Sequence, residues 1–109
     1  MSDSPLKPSW LHILIALAER DLDGSGIVRA VLEQTDRTFR LWPATLYGAL
    51  EEMARAGLIE ELGEETRPEG ESERRRYYRI RPEGRRVLME EGRRLASLAE
   101  LTLRRAGEA

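Results

Sequence analysis

The segment PEGRRVLMEEGRRLASLAELTLRRA, residues 82–106, restricts the available folds more than any other part of the chain. Pro82 opens it, and Leu88, Leu95, Leu98 and Thr102 recur at near-heptad spacing, joined by Val87, Ala99 and Leu101. As a helix of about 25 residues it would extend ~37 Å at 1.5 Å per residue. The 109-residue chain holds one modest domain, too small to cover such a rod. An uncovered leucine stripe is unstable in water. A second copy of the chain is the simplest cover, so the segment predicts a homodimer joined through its terminal helices. Gly92 lies inside this helix at a cost of about 1 kcal/mol relative to alanine. It permits a bend or a close helix approach, or it is incidental.

Upstream, SWLHILIALAER (9–20) places Trp10, Ile13, Leu14, Leu17 and Ala18 at helical spacing, with Ser9 after Pro8 as the expected N-cap. DLDG breaks that pattern. GIVRAVLEQT (26–35) sets Ile27, Val28, Val31 and Leu32 on one face, with Arg29 and Glu33 outside. DRTFRLW is a connector, and Pro43 starts a third helix with Leu46, Leu50 and Met53 inward. Gly57 ends it as a left-handed cap would. LIEELGEE then reads as a strand, TRPEGES as a turn-rich tip and RRRYYRIR as a second strand, together an antiparallel hairpin anchored by Leu58, Ile59, Tyr78 and Ile80.

Charge is segregated along this hairpin. Leu58 to Glu73 holds seven acids and one base, whereas Arg74 to Arg86 holds seven arginines and one acid. Cross-strand pairs of Glu60 or Glu61 with Arg76 or Arg79 are expected to hold the register, each exposed pair contributing ~0.2–1 kcal/mol.

Several function classes are excluded. With no cysteine there is no disulfide, thiolate zinc site or cysteine nucleophile. The single histidine, His12, is read as a partly buried structural residue. With no Ser/His/Asp or metal-ligand constellation, neither an enzyme nor a cofactor is expected. No segment approaches the ~18 consecutive apolar residues of a membrane span, and MSDSPLKPSW lacks a secretory layout, so a soluble cytoplasmic protein without membrane contact is expected. The formal net charge of −2 means that any nucleic-acid role depends on local charge.

Three helices followed by a hairpin with a polar tip is the plan of a winged helix, in which the third helix enters the major groove. The expected fold is therefore mainly α with a β-hairpin: a winged helix-turn-helix over 1–81 and a dimerisation helix over 82–109. PATLYGALEEMARAGLIEE followed by RRRYYRIRPEGRRVL resembles the PadR family of bacterial transcriptional repressors. Its members carry Thr-Leu-Tyr on the recognition helix, Gly-Leu-Ile into the first wing strand and Arg-Tyr-Tyr on the second. The resemblance covers about residues 10–105. It implies a short-type member whose last helix packs with the first helix of a partner chain. Two positions depart from the family pattern. DGSGI stands near 23–27 where a His-Gly-Tyr-like sequence is usual, and Arg81 precedes Pro82 where threonine is common.

On this reading Ala44, Thr45, Tyr47 and Gly48 meet double-stranded DNA from the third helix. Tyr47 has packing against the hairpin as its alternative role, and Gly48 that of a small residue at a helix crossing. Glu51 either repels phosphate or accepts from a cytosine amino group. The third helix holds one base, Arg55, so phosphate neutralisation is assigned to Arg37, Arg40, Arg67, Arg74 and Arg75. The acidic wing residues Glu64, Glu65, Glu69, Glu71 and Glu73 imply modest, strongly salt-dependent affinity. The dimer interface is assigned to Trp10, Leu14, Leu88, Leu95, Leu98 and Leu101. Some relatives bind small aromatic effectors between tryptophans at the dimer interface; the terminal helix here has none, so Trp10 and Trp42 are the candidates for such a contact, with a place in the core as the favoured role of both. The competing reading is a winged-helix protein-interaction module without DNA binding.

Overall fold

Proline, aspartate and glycine set most of the boundaries in the computed structural model, which describes residues 6–63 and 76–107. Helix α1 spans Pro8–Glu19 with Pro8 in its first turn, and Lys7 holds the cap position without a side-chain bond. The expectation that Ser9 caps this helix is corrected: the fixed φ of Pro8 opens the helix earlier and leaves Ser9 inside the first turn. DLDG is more than a break. Leu22–Asp23 forms a short strand, β1, and Asp23 then caps α2 (Gly24–Gln34), its Oδ1 accepting the Gly26 N–H at 2.9 Å. Helix α2 thus starts two residues before the apolar pattern does.

The exit from α2 is tight. Asp36 and Arg37 both take left-handed conformations, at φ 50° and 65°, and the Arg37 N–H closes onto the Leu32 carbonyl at 2.7 Å. Helix α3 (Pro43–Arg55) ends as expected at Gly57, whose φ of 81° is left-handed. The Gly57 N–H reaches the Ala54 carbonyl at 3.1 Å and the Leu58 N–H reaches that of Met53 at 3.0 Å, satisfying two orphan acceptors.

Strands β2 (Ile59–Glu61) and β3 (Tyr77–Ile80) are shorter than the sequence suggests, and β3 is central in an antiparallel β1-β3-β2 sheet. Glu60 does face Arg79 in the register. The ion pairing is nevertheless different from the expected cross-strand set. Arg79 forks onto Asp21, beside β1, with Nη2 to Oδ2 at 2.7 Å and Nε 3.2 Å from both oxygens. Glu60 lies 3.8 Å from Arg81 instead. A bidentate fork is stronger than a single exposed contact, which is why Asp21 takes the guanidinium.

Ile13, Leu14 and Leu17 of α1, Ile27 and Val31 of α2, and Leu46, Leu50 and Met53 of α3 close over Ile59, Tyr78 and Ile80 of the sheet in one core. Leu14 is 0% exposed, so its assignment to a dimer interface is corrected: its surface is spent inside the protomer. On α1 the exposed large apolar side chain is Ile15.

Helix α4 (Pro82–Gly107) docks only through its first turns. Gly84 is buried so closely over the Leu58 carbonyl that a β-carbon there would be driven into that oxygen. Val87 and Leu88 pack on the core, and Arg85 donates to the Ala18 carbonyl at the end of α1, 3.2 Å away. The Glu91 carboxylate is buried and held by Arg94 at 2.8 Å. Beyond Glu91 no described residue of α4 is buried. The result is a shape of 56 × 32 × 23 Å with a radius of gyration of 15.6 Å, against about 13 Å for a compact chain of this length.

Candidate nucleic-acid interface

The helical period divides α3 cleanly. Leu46, Ala49, Leu50 and Met53 are buried, while Ala44, Thr45, Tyr47 and Gly48 face outward with Glu51, Glu52 and Arg55. A β-carbon at Gly48 would meet nothing within 4 Å, so the surface there is open. Tyr47 is 54% exposed, yet its phenol leans on the start of α2: a β-carbon at Gly24 would lie 2.6 Å from the Tyr47 hydroxyl. The tyrosine therefore packs and projects at once. Its other side borders a cleft of about 430 Å³ between α3 and the sheet, which Glu61, Arg76 and Tyr78 also line. Burial and the nearby Glu61 charge raise the pKa of the Tyr78 phenol above its usual value, opposed by Arg76, which also hydrogen-bonds it. Tyr78 is neutral at physiological pH.

The acids on the outer face of α3 have local partners. Glu51 lies 3.7 Å from Arg55 and Glu52 lies 3.8 Å from Lys7, both in exposed pairs. At the N-terminal approach to the helix, Arg37 and Arg40 are exposed, and the Arg40 guanidinium lies 5.3 Å from the centre of the Trp42 ring. Arg37 holds its left-handed backbone without being glycine, a strained conformation of the kind that collects at functional turns. Arg67, Arg74 and Arg75 lie outside the described residues, as do the five wing glutamates.

Trp42 corrects the sequence reading. It was expected in the core, yet it is 63% exposed at the cap position of α3. A cap residue sits where the chain turns into the helix, and that outward position was the available signal. Trp10, by contrast, is half-buried against the core, with the Lys7 ammonium 5.4 Å from its ring. On α4, Leu88, Met89, Gly92 and Ala96 form a shallow apolar strip between Arg85 and Arg93. Leu95 and Leu101 are half-buried, and Leu98 and Leu103 are exposed. Among the described residues no group of three or more His, Asp or Glu could hold a metal, and no helix is long and apolar enough to cross a membrane.

The model of the transcriptional regulator PadR-like family matches residues 13–90, well over half of the chain. The chain belongs to the PadR-like family. Among solved structures it is similar to a transcriptional regulator from Clostridium thermocellum, with 27% identity, 88% of this chain and 87% of that one covered, and a TM-score of 0.73. A PadR family transcription regulator from Clostridium difficile shares the fold at 23% identity, with 90% and 97% covered and a TM-score of 0.73. So does Bacillus subtilis PadR, solved in complex with operator DNA, at 19% identity, 77% and 46% covered and a TM-score of 0.64. No curated protein matches. The departures from the PadR pattern are mild in this fold. Ser25 is exposed, so the absent aromatic leaves no hole in the core, and α4 still begins at Pro82 after Arg81.

Proposed function

We propose that this PadR-like chain is a homodimeric, sequence-specific repressor that inserts one α3 into each half of an inverted repeat on double-stranded DNA. The observation that carries this reading is the outward face of α3, where Ala44, Thr45, Tyr47 and Gly48 are exposed while the opposite face fills the core. Hydroxyls of Thr45 and Tyr47 serve base edges and phosphates, and Gly48 lets the backbone approach closely. Arg37 and Arg40 neutralise phosphates beside the helix, and the same role is assigned to Arg67, Arg74 and Arg75, which lie outside the described residues. Half-sites lie about one helical turn apart. The dimer forms through Leu88, Leu95, Leu98 and Leu101 of α4 with Trp10 of the partner's α1. Regulation is release by a small aromatic effector at that interface, which shifts the balance between two spacings of the heads.

The test is a gel shift on the DNA upstream of the chain's own gene at increasing salt. A shift at low salt is expected, with affinity falling steeply. Arg37 and Arg40 of two protomers alone give a log–log slope of about −4. Thr45→Ala and Tyr47→Ala should each weaken the shift. Absence of any shift at low salt would discard DNA binding in favour of a protein-interaction module.

A further inference from the structure

We infer that Trp42 is itself a DNA-contact residue: with the Arg40 guanidinium 5.3 Å from the centre of its ring, it forms a pad that rests on the sugar–phosphate backbone beside the groove α3 enters. The inference rests on the DNA-binding reading above and adds to it a residue and a mode of contact. Among the described residues of the winged-helix portion, the exposed large apolar side chains are Ile15, Trp42 and Tyr47, and Trp42 is the most exposed of the three. It stands only three residues before Thr45 on the same turn of chain.

The root of Trp42 is rigid. Its backbone is extended at φ −83°, ψ 153°, as a residue before proline requires, and its carbonyl accepts the Leu46 N–H at 2.9 Å. Its side chain makes no cap bond to the helix it precedes, so this position gives up the stabilisation that serine, threonine or aspartate would supply. The indole is held away from the protein with Arg40 beside it. A guanidinium over an aromatic face keeps its edge donors available for hydrogen bonds.

A flat apolar face carrying a cation, next to a helix face lined with hydroxyls, suits a partner that alternates apolar rings with anions. The deoxyribose–phosphate chain has that chemistry, with the indole against the sugar and Arg40 on the phosphate. A second copy of this chain suits the pad less well. The apolar residues that await a copy lie on α4, and two copies meeting at the pad would bring Arg37 and Arg40 against their equivalents.

The chain has two tryptophans, so labelling the full-length protein with 5-fluorotryptophan gives a ¹⁹F resonance for each, assigned from the Trp42→Phe spectrum. Titration with the upstream duplex should shift the Trp42 resonance more than that of Trp10. Trp42→Ala should weaken binding about tenfold or more, on upstream and unrelated duplexes alike, because a backbone contact carries no sequence information. The salt slope should survive Trp42→Ala but fall by about 2 per dimer in Arg40→Gln. An unmoved Trp42 resonance on a duplex that binds overturns the pad while leaving the DNA reading intact, and so does wild-type affinity of Trp42→Ala where Thr45→Ala binds poorly. Loss of the dimer in Trp42→Ala by sedimentation overturns it in favour of a contact between copies. A wild-type chain that binds no duplex at low salt overturns both readings.

Discussion

His12 holds its Nδ1 in a buried position with no hydrogen-bond partner among the described residues, and its ring centre lies 4.4 Å from that of Phe39. Burial keeps the imidazole pKa below its usual 6.5. The folded state therefore favours the neutral ring, and unfolding releases it to take up a proton. Stability from this residue is intact above pH 6.5 and declines as the pH falls from there towards the folded value. A lowered melting temperature at pH 5 relative to pH 7.5 is expected, and His12→Phe should flatten that difference. Glu83 and Glu91, whose pKa values are lowered chiefly by hydrogen bonds from Arg86 and Arg94, lose their contribution only as pH falls below the usual 4.5. The two effects fall in separate windows of one calorimetric series. Single residues were also where the sequence was hardest to read. Periodicity marks Leu14 as apolar but cannot divide it between its own core and a partner's surface. Arg79 chose Asp21, 58 positions away, over the acid it faces across the sheet, and no local pattern encodes that choice.

At the scale of elements, punctuation was legible and pairing was not. Pro43 and Gly57 bound α3 in the sequence as they do in the fold, because a fixed φ and a left-handed φ each act on the backbone alone. Strand β1 has two residues, too few to display a period, and it exists only because β3 pairs with it. The docking of α4 depends on a glycine whose importance no motif announces. Gly84→Ala should destabilise the protein by about 2–3 kcal/mol or more in urea unfolding, since the Leu58 carbonyl it would strike is backbone and yields little. Gly92→Ala is the contrasting substitution within the same helix. Its new β-carbon meets nothing within 4 Å in the protomer, and the helix should gain up to about 1 kcal/mol.

The whole molecule follows from a mismatch of lengths that was plain in the sequence: α4 has 26 residues, ~39 Å of helix, on a domain that buries only its beginning. What covers the remainder is the proposal tested by Leu98→Asp. Leu98 is exposed in the protomer, so the substitution should leave the monomer fold intact by circular dichroism. It should convert dimers to single chains in sedimentation at micromolar concentration. DNA affinity should fall with it, because two linked heads bind far more tightly than one. The seating of Gly84 on the Leu58 carbonyl also has a mechanical consequence. With Val87, Leu88 and Glu91 it anchors one end of a long arm, and any rotation at an anchor so placed is magnified. A tilt of about 5° there sweeps the far tip through an arc of roughly 3 Å, close to the rise of one base pair.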